Sequence, residues 1–296
     1  MLLICDSFWR FLTNLIMSQI RRTLVTVDQF VNPKTKSCET GKAMTTNSGT
    51  PAMVLHNIPH YQQRFHWDCG VTCVLMLLEN NDRQQLLDNF AEICREEGFG
   101  QSTWTIDLCY LLKRFGVPHT MYTTMVGVNE DHKKQNYYSK IITLDRERVQ
   151  RRFAQASANG IKVVPRGVSQ DELLQHLQRG PAILLVDAGL LSCDLCKHNK
   201  MRFEFRRWFG GGYRGHYIVC VGARGPLLLY RDPARRPAGG PAGGSLPAGS
   251  PPGGSLPAGS LPGGSPACGA RAARLLAAHA ASGTDRDAIL IHRDYR

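Results

Sequence analysis

The sequence predicts an α+β domain, and three observations carry that prediction. Segments with helical periodicity dominate residues 70–158, extended segments dominate residues 161–230, and no regular strand–helix alternation links the two. A doubly wound sheet needs that alternation. At 296 residues the chain has room for one large domain or two small ones, and its 43% hydrophobic content suffices for a sizeable core.

The ordered part is expected to start near Met53. Gly70 to Glu79 carries Val71, Val74, Leu75 and Leu78 at helical spacing. Arg83 to Glu96 reads as a second helix, with Leu86, Leu87, Phe90, Ile93 and Cys94 on one face. A third begins after Ser102, a plausible N-cap, carries Ile106, Leu108, Leu111 and Leu112, and stops at Gly116. Val117 to Val128 reads as extended, Asp145 to Ala158 as a basic helix ended by Gly160, and Ile161 to Val164 as a strand. Ser169 and Glu172 form a capping-box pair that opens a helix ending at Gly180. Pro181 to Val186 has the composition of a buried strand. A loop from Ser192 to Gly215 precedes two further strands, Tyr217 to Val221 and Leu227 to Tyr230.

Pro237 to Pro266 is a run of Pro, Ala, Gly, Ser and Leu in near-repeats, too poor in large apolar groups to offset chain entropy, and is expected to be disordered. Arg271 to Ala281 is Ala-rich and helical in character, and Ala288 to His292 reads as a last strand returning to the core. The organisation expected is therefore an irregular extension over 1–50, a domain over 51–236, a disordered insertion over 237–268 and a domain-completing segment over 269–296.

The net charge of +12 invites a nucleic-acid reading, but the basic residues are spread along the chain and interleaved with acids, as in Arg146-Glu147-Arg148. Trp67 and Trp104 read as core or cleft residues, not a base-stacking platform. No nucleic-acid partner is expected. Met1 to Met17 is apolar but is broken by Asp6 and Arg10, so it reads neither as a membrane span nor as a cleaved leader. Cys73, Cys94, Cys109 and Cys220 lie inside apolar runs, as small buried hydrophobes of a reducing, cytoplasmic or nuclear compartment do. Oligomeric state leaves no mark.

The chemistry concentrates in Gln63-Arg-Phe-His-Trp-Asp68-Cys69-Gly70. Asp68 is placed to cap the following helix, so that Cys69 sits at its N-terminus. Unpaired N–H groups and the positive helix end favour a thiolate there. Gly70 removes bulk beside the sulfur. The Gln63 amide lies across a loop, within reach of sharing an oxyanion with the Cys69 N–H. Downstream stand Gly215-His216-Tyr217 and Tyr230-Arg-Asp232-Pro233. A three-residue loop over Ala223-Arg-Gly225, with Gly225 left-handed, sets His216 opposite Asp232, although Pro226 lets that register slip by one. A carboxylate there fixes the imidazole tautomer and stabilises the imidazolium. A structural cysteine beside a helix cap is the plainer alternative.

Gln63, Asp68-Cys69-Gly70, Gly215-His216-Tyr217 and Asp232-Pro233 resemble the papain-like cysteine peptidases of the bacteriocin-processing type. That likeness implies a helical half and an antiparallel sheet half. It also implies Gln63 as oxyanion residue, Cys69 as nucleophile, His216 as base and Asp232 as its orienter, acting on a peptide or protein substrate without a cofactor. Over a longer span the chain resembles the guanylyl cyclase domain-containing proteins, through His66-Trp67-Asp68-Cys69-Gly70, Ser102-Thr-Trp104-Thr-Ile-Asp107, Cys193-Asp-Leu-Cys196 and Gly283-Thr-Asp285. Their name implies formation of cyclic GMP. Such chemistry needs paired carboxylates for two Mg²⁺ ions and a triphosphate cradle. Gly210-Gly211-Gly212 has no following Lys-Ser/Thr, and nothing in the spacing pairs Asp107 with Asp187. A non-catalytic interaction protein keeping the same fold is a third possibility. Cys193 and Cys196, with His198 nearby, form half of a zinc pattern whose second pair is missing, so no metal site is expected.

Overall fold

The computed structural model describes residues 53–99, 102–128, 139–196, 199–201, 203–204, 212–235 and 267–296, with backbone alone at 139–144. The extension over 1–50 and the run from Pro237 to Pro266 lie outside the described residues. In chain order the elements are β1 (Val54–Leu55), α1 (Cys69–Leu77), α2 (Asn80–Asp88), α3 (Phe90–Glu96), α4 (Thr105–Arg114), β2 (His119–Tyr122), α5 (Ser139–Gln155), β3 (Lys162–Val164), α6 (Gln170–His176), β4 (Ala182–Asp187), β5 (Gly215–Arg224), β6 (Leu227–Arg231), β7 (Cys268–Arg271), α7 (Ala272–His279) and β8 (Ala288–Ile291).

The architecture is α+β, built on an eight-stranded sheet in the order β3-β2-β8-β4-β5-β6-β7, with β1 also paired to β5. Two features differ from the expected separation into a helical half and an antiparallel half. The β2–β3 pair is parallel, and the crossover such a pair needs runs through α5. Moreover, both sheet faces are covered. Along β4 and β5 the period-2 alternation sends Ile183, Leu185, Tyr217, Val219 and Val221 into a cluster with α1 and α4. It sends Ala182, Leu184, Val186, Ile218 and Cys220 into a second cluster with α6 and α7. All six residues of β4 are buried for this reason.

The last segment returns to the middle of the sheet, since β8 lies between β2 and β4. Local chemistry accounts for other boundaries. The capping box at Ser169 forms, with the Ser169 hydroxyl accepting from the Glu172 N–H and the Glu172 carboxylate accepting from the Ser169 N–H. The helix expected over 83–96 is divided at Asn89, whose side chain and backbone N–H both donate to the Gln85 carbonyl, closing α2 and letting α3 start afresh. Trp104, not Ser102, stands at the N-cap of α4. The Ser102 hydroxyl is instead bonded to Asp145.

The β5–β6 register also departs from expectation. Arg224 pairs with Leu227 around a two-residue turn, with Gly225 at φ +55°, and a bulge follows between Cys220 and Gly222. Gly222 sits at φ +154°, and a Cβ there would lie 2.0 Å from the Val54 carbonyl oxygen. The glycine therefore lets β1 pair alongside β5.

Candidate active site

Cys69 is the first residue of α1, with Asp68 before it. The Asp68 carboxylate does not cap the helix. It turns back and accepts the Arg64 and Phe65 N–H groups, at 3.1 and 3.0 Å, which folds the 63–67 loop against the helix start. Burial raises its pKa to about 6, against the opposing pull of those hydrogen bonds. Gly70 is small for a reason the sequence hid. A Cβ there would come within 3.0 Å of both Leu108 of α4 and Tyr217 of β5, so the glycine lets α1 lie directly against helix and sheet. The neighbouring hydrogen bond between Thr105 and the Tyr217 hydroxyl, 2.9 Å, fixes the same junction.

His216 is the second residue of β5 and Asp232 follows β6. The pair forms in spite of the altered register. Val219 pairs with Arg231, so one further step sets Asp232 opposite Ile218, a diagonal two residues from His216. Nε2–H of His216 reaches the Asp232 carboxylate at 2.7 Å. Both side chains are buried, at 7% and 1% exposure. The Cys69 thiol lies close enough to the ring to help raise its pKa. With Nε2 committed to the carboxylate, Nδ1 is the nitrogen left for the sulfur. Burial alone pushes the His216 pKa down; the Asp232 charge and hydrogen bond, helped by Cys69, outweigh it and raise it to about 10. The Asp232 pairing therefore favours the protonated ring.

Gln63 is joined to the same corner. Its backbone N–H donates to the Pro233 carbonyl at 2.9 Å, and His60 Nε2 bonds the Arg235 carbonyl at 2.8 Å. Its side-chain amide donates to the Phe65 carbonyl at 2.6 Å, within its own loop. Phe65, 45% exposed, stacks on Trp67 with centroids 5.8 Å apart, in the loop before Cys69. A pocket lined by Tyr61, Arg64, Asp68, Thr72 and Phe90 adjoins the start of α1.

The structure thus brings Cys69, His216 and Asp232 together and holds Gln63 alongside. Cys73, Cys94, Cys109 and Cys220 are free and buried, and burial pushes their thiols up, in Cys94 and Cys220 to about 12.

Asp107 belongs to another group. It is fully buried and accepts from Arg148 at 3.0 Å and Arg152 at 2.7 Å. Arg152 also reaches Glu97 at 2.7 Å, while Arg148 and the Trp104 indole N–H reach Asp145. This network fastens α5 to α4. Asp187 accepts the Gly189 N–H in its own turn, at 2.9 Å.

Cys193 and Cys196 acquire a partner that sequence spacing did not offer. Cys268 lies with its sulfur 3.7 Å from that of Cys196, and the three ligand atoms all fall within 4.8 Å of one another. The Cys193 thiol is held low by a hydrogen bond from Cys268 and by the Cys196 and Gly269 N–H groups, and the Cys268 thiol is correspondingly raised. The one local signal was Cys268-Gly269 at the point where the low-complexity run ends.

The chain belongs to a family of cyclase-named proteins: residues 58–238 match the family described as Guanylylate cyclase. Among its relatives, it is similar to Guanylyl cyclase 1 of Arabidopsis thaliana, with 34% identity over 193 residues, covering 64% of this chain and 68% of that protein. No solved structure matches the chain.

Proposed function

We propose that the chain is a cysteine-dependent hydrolase or transferase acting on a peptide or amide bond, with a papain-like arrangement of site and fold. The observation that carries this reading is the buried His216–Asp232 hydrogen bond beside Cys69, which opens a helix and lies close enough to raise the His216 pKa. The Cys69 proton rests on His216 Nδ1 in the resting pair, and the thiolate attacks the carbonyl carbon. The Cys69 N–H, which has no intrahelical acceptor at a helix start, receives the developing oxyanion. The Gln63 amide joins it by exchanging the Phe65 carbonyl for the substrate oxygen. Imidazolium returns the proton to the leaving amine, giving a thioester. Water or another nucleophile, deprotonated by the imidazole, then releases the acyl group and restores the thiol. Asp232 holds the tautomer and the charge throughout. On this reading the domain spans 51–236 and 269–296, the low-complexity run is an insertion within it, and the protein acts on a peptide or protein in the cytoplasm. Among the described residues no helix is long and apolar enough to cross a membrane.

The family and relative names favour a second reading, formation of cyclic GMP from GTP. Asp107, committed to two guanidinium groups, is poorly disposed to hold Mg²⁺ for it. One experiment separates the two. The protein is incubated with a library of short peptide amides in one arm, and with GTP and Mg²⁺ or Mn²⁺ in the other. Amide cleavage or acyl transfer that Cys69→Ala abolishes is expected. Cyclic GMP formation unaffected by Cys69→Ala, with no acyl chemistry, would overturn the hydrolase reading.

A further inference from the structure

Cys193 and Cys268 belong to the apolar cluster with α6 and α7, whereas Cys69 belongs to the one with α1 and α4. The thiol cluster is thus a separate feature, and it is built as metal sites are built. The turn carrying Cys193 and Cys196 is stitched to β7 by backbone. The Asp194 N–H donates to the Gly269 carbonyl at 2.7 Å, and the Asp194 carboxylate accepts the Arg271 N–H at 3.1 Å and Arg274 Nη1 at 2.6 Å. Two backbone N–H groups, of Cys196 and Gly269, point at the Cys193 sulfur from 3.3 and 3.2 Å. Such N–H···S bonds disperse the charge of a metal-bound thiolate and fix its lone pairs. Gly269 allows this closeness, because a Cβ there would meet the Leu195 side chain at 2.8 Å. The Arg235 guanidinium reaches the Cys268 sulfur at 3.5 Å, supplying positive charge beside a ligand set with more negative charge than one divalent ion neutralises.

We propose that Cys193, Cys196 and Cys268 form a thiolate site for a zinc ion that clasps the β4–β5 loop to β7. Soft thiolates select zinc among the common divalent ions, and a fourth tetrahedral position remains for water or one more ligand. The placement gives the ion a structural task. Cys268 is where the chain re-enters the sheet after the run over 237–266, and it pairs with Tyr230, two residues before Asp232. The Cys193–Cys196 turn lies in the connection leading to His216. One ion would therefore pin both chain segments that bear the base and its carboxylate, an arrangement in which metal-binding energy becomes folding energy.

The test is metal content of the full chain purified without chelator or added metal, by elemental mass spectrometry. Stoichiometric zinc is expected in the wild type and in Cys69→Ser, with loss of that zinc in Cys193→Ser, Cys196→Ser and Cys268→Ser. Should the serine variants not fold, the wild type answers alone: after exchange into cobalt it is expected to show thiolate-to-cobalt charge-transfer bands and tetrahedral ligand-field bands. Metal-free wild type that takes up no cobalt, a Cys196–Cys268 disulfide found by peptide mapping, or zinc retained in all three serine variants would each overturn the proposal.

Discussion

Asp107 and Asp232 are both buried carboxylates facing cationic partners, yet the two neighbourhoods serve different ends. Asp107 meets two guanidinium groups, which cannot give up a proton at any pH the fold survives. Asp232 meets one imidazole, which exchanges protons and carries a thiol on its other side. The first pairing is a fastener between α4 and α5. The second, on the proposed reading, holds a proton-transfer group in one orientation. Burial and ion pairing by themselves therefore do not mark a functional site. The identity of the cation, and what else it touches, does.

That contrast breaks most visibly under substitution. Asp107→Asn leaves Arg148 and Arg152 facing a neutral group in the core, and is expected to destabilise the fold by about 3–5 kcal/mol in denaturant titration. The Cys69 reactivity of the molecules that remain folded should not change. A loss of reactivity in the folded fraction would erase the distinction between the two regions.

A smaller effect is expected in the pH dependence of stability. The folded state raises the His216 pKa from 6.5 to about 10, so it prefers the protonated ring. The resulting stabilisation is fully present below pH 6.5 and is lost as pH rises towards about 10, with a slope of at most about 1.4 kcal/mol per pH unit for one proton. In Asp232→Asn burial is opposed by Cys69 alone, and this alkaline decline should shrink sharply. Persistence of the same decline would assign it to another group.

The smallest effect concerns Asp68. Its pKa is raised from 3.8 to about 6, so its contribution is present below pH 3.8 and is lost as pH rises through about 6. Asp68→Asn removes that dependence while keeping one acceptor for the Arg64–Phe65 turn. The variant should lie within about 1 kcal/mol of wild type at neutral pH and show a flatter melting profile in acid. A large loss at neutral pH would show that both carboxylate oxygens are needed to hold the loop before Cys69.

Much of this was legible in the sequence, in proportion to how local each signal is. The capping box at Ser169 and the buried run of β4 rest on neighbouring residues and form as read, and β5 and β6 pair antiparallel as expected, though in another register. The His216–Asp232 contact was expected for the wrong register. The bulge lies where β1 pairs alongside, and Gly222, isolated within the strand, was its one local signal. Cys268 escaped notice because its partner Cys196 lies 72 residues away, across a low-complexity run. Asp107 was similarly opaque, with its arginines 41 and 45 residues downstream. The mixed sheet was missed because β2 and β3 are short, and their parallel pairing is decided by the α5 crossover.

The proposed role of Cys69, a nucleophile governed by His216 and Asp232, is tested most directly by alkylation kinetics of the native protein. Limited labelling at neutral pH, resolved residue by residue by peptide mass mapping, is expected to modify Cys69 ahead of Cys73, Cys94, Cys109 and Cys220. His216→Ala should slow the Cys69 rate by at least about tenfold, and Asp232→Asn should slow it less. Cys193 or Cys196 reacting first in the native protein, or a Cys69 rate unchanged in His216→Ala, would contradict the account.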